Sequence, residues 1–135
     1  MNKYIALDTM LFIYYLEGNE RFGTQAQEIF KNIENESKGI TSIITISEVL
    51  SLPIFKENEF LLEQTKHTLK SIKNVEFLPL TEEIAEKAAY IKRKYVVRLP
   101  DAIQLATAWS KNATEFITND KKLKRITEVS IKLLS

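Results

Sequence analysis

The chain has 135 residues, 44% of them hydrophobic and 27% charged, enough for one domain with a real core and too few for two comfortable ones. A formal net charge of +1 excludes a global basic field for nucleic acid, so such a partner must be held by a local patch. The absence of cysteine excludes disulfides, thiolate catalysis and cysteine-based zinc sites, and suits a reducing cytoplasm.

Taken in order, "KYIALD" reads as a buried first strand ending at Asp8. The helical pattern "TMLFIYYLEG" follows and closes near Gly18. Its apolar run is too short to span a bilayer, and Asp8 interrupts the stretch before it, so neither a membrane segment nor a secretory signal is expected. In "RFGTQAQEIFKNIENESKG" the residues Phe22, Ala26, Ile29, Phe30 and Ile33 recur at helical spacing, with Gly39 as the expected stop. "GITSI" reads as the second strand and "TISEVLSL" as a short helix broken at Pro53. "ENEFLLEQTKHTLKSIKN" is an amphipathic helix and "VEFLPL" the third strand. Thr81 caps the next helix, with Glu82 and Glu83 in its first turn, and that helix runs to about Tyr95. The helix from Pro100 to about Asn112, the strand "TEFIT" and a short strand in "VSIKLL" complete the chain. With few glycines and prolines and no repeat or linker, residues 1–135 form a single domain. Strands alternating with helices predict an α/β sandwich around a mostly parallel sheet of four to five strands.

On that frame four acids converge. Asp8 ends the first strand, Asp120 lies just past the fourth, and Glu48 falls in the first turn of the helix after the second. Asp101 opens a helix that must finish where the fourth strand begins, so its start lies at the opposite edge. All four point to the carboxyl edge of the sheet, where open α/β folds place their sites. Each has a plainer role on its own. Asp8 caps a helix, Thr45 and Glu48 match the Thr-x-x-Glu capping box, Asp101 complements a helix dipole and Asp120 serves a turn. Capping does not require all four at one edge. Carboxylates so close are hard to keep ionised together without a cation, and hard oxygen donors select Mg²⁺ or Mn²⁺.

The set "LDTMLFIYYL", "TISEVL", "LPDAIQLATA" and "ITNDKKL", in this order across nearly the whole chain, resembles the PIN-domain nucleases, and in size the VapC-type toxins of prokaryotic toxin–antitoxin pairs. The resemblance implies a PIN-like parallel sheet with helices on both sides and a Mg²⁺- or Mn²⁺-dependent endoribonuclease acting on RNA in the cytoplasm. It implies a homodimer and a cognate antitoxin whose C-terminal segment covers the acidic site. It makes Asp8, Glu48, Asp101 and Asp120 the acidic quartet, with Thr9 and Thr118 as its hydroxyl companions. Asp8, Asp101 and Asp120 are then direct or water-mediated metal ligands, and Glu48 binds through water or orients the attacking water. The chain departs from the pattern at Lys122 and Leu123, where many relatives carry a second acid and an aromatic. That departure tells against a fully occupied second metal site.

The surroundings are less specific. Lys121, Lys122, Lys124 and Arg125 follow Asp120 directly and are candidates for RNA phosphate contact, whereas Lys92 to Lys94, with Arg98 nearby, read better as a solvated helix face. His67, the one histidine, sits mid-helix without an acid–base partner, which disfavours an imidazole-based ribonuclease. Tyr14 and Tyr15 could stack on bases, and Trp109 reads first as a core or interface residue. Leu11, Phe12, Tyr14 and Tyr15 exceed what one face of a short helix needs, as a subunit interface would. A response-regulator receiver lacks its phospho-acceptor here, and a haloacid-dehalogenase phosphatase lacks Asp-x-Asp after the first strand. The alternative that survives is a catalytically silent PIN-like module that binds RNA or protein.

Overall fold

A computed structural model describes residues 3–135, so the first two positions of the predicted domain lie outside the described residues. Apolar alternation builds the sheet. In β1 (Tyr4–Leu7) Ile5 and Leu7 enter one core while Ala6 enters the other, the period of two required of a strand buried on both faces. Phe116 and Ile117 of β4 (Glu115–Thr118) divide in the same way. With β2 (Lys38–Ser42), β3 (Val75–Leu78) and β5 (Ile131–Leu133) they form a five-stranded sheet in the order β3-β2-β1-β4-β5. All four pairings are parallel. The sheet expected to be mostly parallel is therefore wholly so among the described residues.

Helices cover both faces, as the α/β/α reading requires. One core packs α5 (Glu82–Tyr95) and α6 (Leu99–Ser110), the other α1 (Thr9–Glu17), α2 (Gly23–Glu36), α3 (Ile44–Leu50) and α4 (Glu59–Ser71). A 3-10 turn at Pro53–Phe55 follows α3. The ends follow local chemistry. Thr81 Oγ accepts the Ile84 N–H at 3.2 Å, and α5 has Glu82 and Glu83 in its first turn and Lys92, Arg93 and Lys94 in its last, both signs matching the helix dipole. Pro100 stands in the first turn of α6, where its missing N–H is no loss. No helix among the described residues is long and apolar enough to cross a membrane.

Two expectations are corrected. Gly39 does not stop a helix: α2 ends at Glu36 with the extended Ser37 as its cap, and Gly39 lies inside β2. A Cβ there would stand 3.1 Å from Val75 Cγ2 and 3.3 Å from two carbons of Ile33, so the glycine serves close packing of α2 on the sheet. The apolar surplus of α1, expected as a subunit surface, is largely taken up within the chain, with Met10, Tyr15 and Leu16 left half-buried. Leu11 and Phe12 are fully buried, Phe12 meets the Phe30 ring edge-on at 5.2 Å, and Tyr15 packs on Phe30 at 5.0 Å. A helix enclosed by sheet and neighbouring helices is apolar nearly all round.

The turn from α5 to α6 carries local strain. Val96 adopts a left-handed φ of 55° while 85% exposed, and its N–H caps α5 through Lys92 O at 3.0 Å. The left-handed region costs an L-residue about 1–2 kcal/mol, and a β-branched side chain suits it poorly. Val96→Asn keeps the N–H and tolerates the conformation, while the exposed valine has little packing to lose. The variant is expected to gain about 1 kcal/mol, a rise of about 3–5 °C in Tm by calorimetry; an unchanged or lower Tm would show that Val96 is not strained.

Candidate active site

The chain leaves β1 for β2 on one side and later returns to place β4 on the other, opening a crevice at the carboxyl edge beside β1. A cleft of about 480 Å³ lies there, lined by Asp8, Thr9, Glu48, Arg98, Asp101, Asn119 and Asp120. All four acids of the sequence analysis thus border one cleft. A larger hollow of about 800 Å³ beside α4 offers Tyr15, Glu63 and His67 as its titratable lining groups, and His67 is exposed.

Asp8 is the most constrained of the four. It is 8% exposed and caps α1, with Oδ1 accepting the Thr9 N–H at 2.8 Å and Oδ2 accepting the Thr118 hydroxyl at 2.7 Å. Burial raises its pKa from 3.8 to about 6. The Thr118 and Thr9 hydrogen bonds work against that rise, while the charges of Asp101 and Glu48 add to it. Thr118 also accepts the Asp120 N–H at 3.1 Å, so one hydroxyl ties the end of β4 to the end of β1. Asp120 caps the 3-10 turn Lys121–Arg125, its Oδ1 accepting the Lys122 N–H at 3.0 Å.

Glu48 lies in the second turn of α3, one turn later than expected. The capping box is not formed, because α3 begins at Ile44 and its cap, Ile43, makes no side-chain cap bond. Thr45 is instead fully buried, within 3.1 Å of the Thr9 hydroxyl and 2.7 Å of the Thr41 hydroxyl. Glu48 Oε1 accepts the Thr9 hydroxyl at 2.7 Å. Asp101 is the third residue of α6 rather than its cap, and Arg98 donates to its two oxygens at 3.2 and 3.4 Å. Arg98 holds its proton more firmly than usual, chiefly through the hydrogen bond to Asp101 and the charge beside it, with smaller contributions from Glu48 and Asp8.

Three lining or supporting residues escaped the sequence reading as site members. Arg98, which the sequence sets in a second basic group with Lys92 to Lys94, is the cation of the cleft. Asn119 lines the cleft and donates to the Tyr14 hydroxyl. Gln104 is 2% exposed beneath the floor; its signal was a lone amide three residues after Asp101 in an apolar helix, the spacing of one face. Tyr14 is buried against Phe22 at 5.0 Å. Trp109 is half-buried against Tyr90 of α5, with Lys87 over its ring at 4.3 Å. All four basic residues after Asp120 are exposed, and of these Lys124 donates to Ile131 O and Arg125 to Lys122 O. None of these four basic residues lines the cleft. Among the described residues, no three Asp, Glu or His side chains are gathered closely enough to enclose a metal ion.

The chain matches the PIN domain family over residues 5–129. Its fold is similar to that of VapBC2 from Rickettsia felis, solved bound to a promoter DNA fragment, with a TM-score of 0.78 at 13% identity, covering 96% of this chain and 98% of that one. DNA-bound VapBC from Salmonella typhimurium is similar with a TM-score of 0.73 at 20% identity, covering 98% of each chain. A toxin–antitoxin complex from Klebsiella pneumoniae is similar with a TM-score of 0.68 at 25% identity, covering 93% of this chain and 94% of that one. No curated protein sequence matches the chain.

The Asp8 shift gives a pH dependence of defined sign. Its folded pKa of about 6 lies above the unfolded 3.8, so the native state binds more protons in that window and stability falls as pH rises through it. The loss amounts to about 3 kcal/mol by pH 7. Asp8→Asn keeps a capping oxygen and carries no charge. In chelator it is expected to melt higher than wild type at pH 7, by about 2 kcal/mol in stability, with the difference vanishing below about pH 4. Parallel stability curves for the two proteins from pH 4 to 7 would contradict the shift.

Proposed function

The chain belongs to the PIN domain family, and on that premise we propose that it is a Mg²⁺- or Mn²⁺-dependent endoribonuclease, the toxin of a type II toxin–antitoxin pair. The observation that carries this reading is the cleft itself. Four acids from four separate parts of the chain line it beside a single guanidinium, a charge balance that favours taking up a cation. The likeness to solved toxin–antitoxin complexes supports a cognate antitoxin, and the same proposal includes a homodimer in the cytoplasm.

The donor chemistry fits a hard divalent cation, since every candidate ligand is a carboxylate oxygen. Asp8, Asp101 and Asp120 would hold it, with Glu48 binding through water or orienting the attacking water. When bound, such an ion lowers the pKa of a water and offsets charge building on the scissile phosphate. The remaining work belongs to the chain. Thr118 and the Thr9 N–H hold Asp8 in one orientation, leaving each oxygen a further lone pair. The Thr9 hydroxyl holds Glu48. Arg98 keeps Asp101 paired in the cleft. Lys121 and Lys122, exposed beside Asp120, steer the RNA backbone without reading its sequence. Lys124 and Arg125 contribute mainly to the local field.

Cleavage of total RNA with Mn²⁺ and with chelator tests the reading. Wild type is expected to cut only with the metal, and Asp101→Asn to lose at least about 100-fold in rate. Its Tm should move by no more than a few degrees, because the lost dipole and ion-pair contributions of about 0.3–1 kcal/mol are offset by relieved repulsion. Calorimetric titration with Mn²⁺ should show binding that Asp8→Asn and Asp120→Asn weaken. Reduced stability with a near-normal rate would return Asp101 to a helix-dipole role, and metal binding without cleavage would favour the silent RNA- or protein-binding module. Light scattering of the isolated chain at micromolar concentration is expected to give a dimer mass, and a monomer at every concentration would remove the homodimer.

A further inference from the structure

We infer that Gln104 is a positioning residue whose buried amide fixes the Thr9 hydroxyl as a hydrogen-bond donor to Glu48. The inference rests on the nuclease reading and names a residue that reading does not use. It follows from counting protons at the junction of β1, β2, α3 and α6.

Gln104 Nε2 donates to Thr45 Oγ at 2.8 Å and to Thr9 Oγ at 3.2 Å, while its Oε1 accepts the Ser42 N–H at 3.1 Å. A hydroxyl has one proton and two lone pairs, and an ionised carboxylate only accepts. With one lone pair of Thr9 taken by the amide, its single proton goes to the acceptor-only Glu48 Oε1 at 2.7 Å rather than to Thr45 Oγ at 3.1 Å. The proton of Thr45 goes to Thr41 Oγ at 2.7 Å, and that of Thr41 to Leu7 O at 2.9 Å. Each proton is used once, and among the described residues no buried side-chain polar atom lacks a partner. Turning the amide over would set its N–H₂ against the Ser42 N–H, so the orientation is forced. Gln104 thus sends hydrogen bonds one way, through Thr9, to a carboxylate on the cleft.

Packing alone does not call for this residue. Gln104 lies on the buried face of α6 among Leu105, Ala106 and Ala108, where an apolar side chain of equal volume would fill the same space but leave the Ser42 N–H without its acceptor. A buried polar cluster retained there holds one arrangement among several. The arrangement it holds includes the direction of the Thr9 hydroxyl. Glu48 is then restrained by a donor that itself cannot rotate away.

The test uses Gln104→Met and Gln104→Leu, which roughly keep the volume and the helix while removing the donor. In variants that melt cooperatively, Mn²⁺ affinity by calorimetry is expected to fall about 10-fold, and kcat for RNA cleavage about 10-fold with KM unchanged. Thr9→Val should reproduce both losses, add nothing further when combined with Gln104→Met, and be about 10-fold slower than Thr9→Ser, which keeps the hydroxyl. Wild-type Mn²⁺ affinity and kcat in a folded Gln104→Met protein, or full additivity with Thr9→Val, would overturn the inference and leave the nuclease reading standing. If neither Gln104 variant folds, equal rates for Thr9→Val and Thr9→Ser overturn it. A wild type that neither binds Mn²⁺ nor cleaves RNA would overturn both readings together.

Discussion

Asp8 gives up water at the end of β1 and recovers two hydrogen bonds in exchange, and the carboxyl edge is arranged around that deficit. As a helix cap it contributes about 1 kcal/mol, less than the roughly 3 kcal/mol its raised pKa represents. A serine would cap α1 without the penalty, so capping does not account for an aspartate here. The neighbours share the problem. Asp101 and Glu48 raise the Asp8 pKa further, and Arg98 feels all three acids. On the proposed reading, a cleft that holds charge under repulsion would exchange its internal counter-ion for a stronger external one.

Beneath the acids the structure places hydroxyls and one amide where most junctions of helix and sheet place aliphatic groups. Thr9, Thr41, Thr45, Thr118 and Gln104 are all at most 5% exposed. Each is satisfied within the set, by backbone or, for Thr9 and Thr118, by an acid above it, and that completeness makes the arrangement rigid. Loss of one member would strand its partners at about 1–3 kcal/mol each. The two layers are distinct in chemistry. The acids face the cleft and repel one another, while the neutral groups below hold them in register.

The cations are dispersed by comparison. Lys94 and Tyr95 of α5 both bind Glu128, clamping the segment before β5 to the helix layer. Lys92 closes onto Val97 O, and Lys124 and Arg125 bind main-chain carbonyls. Much of what reads as basic in the sequence is therefore structural stitching, and a net charge near zero hides an acidic cleft. Arg98 is the exception because its turn, strained at Val96, delivers it to the cleft rim.

The sequence by itself determined the alternation of strands and helices, the ends of α1 and α5, and the placement of Asp8 and Asp120 at strand ends. These are local matters: periodicity over a few residues, a cap, a glycine at φ 64° after α1, a carboxylate at the last turn of a strand. The tertiary structure alone decided that Gly39 belongs to a strand pressed against Ile33 and Val75, and that the apolar surplus of α1 is core. It also decided that Thr45 joins a buried network instead of capping α3, and that Gln104 and Arg98 belong to the site. Gln104 is 95 positions from Thr9 and 59 from Thr45. Such bonds are selected by the packing of α6 and α3 against β1 and β2, and a side chain's partner across that distance leaves no periodic trace in the chain.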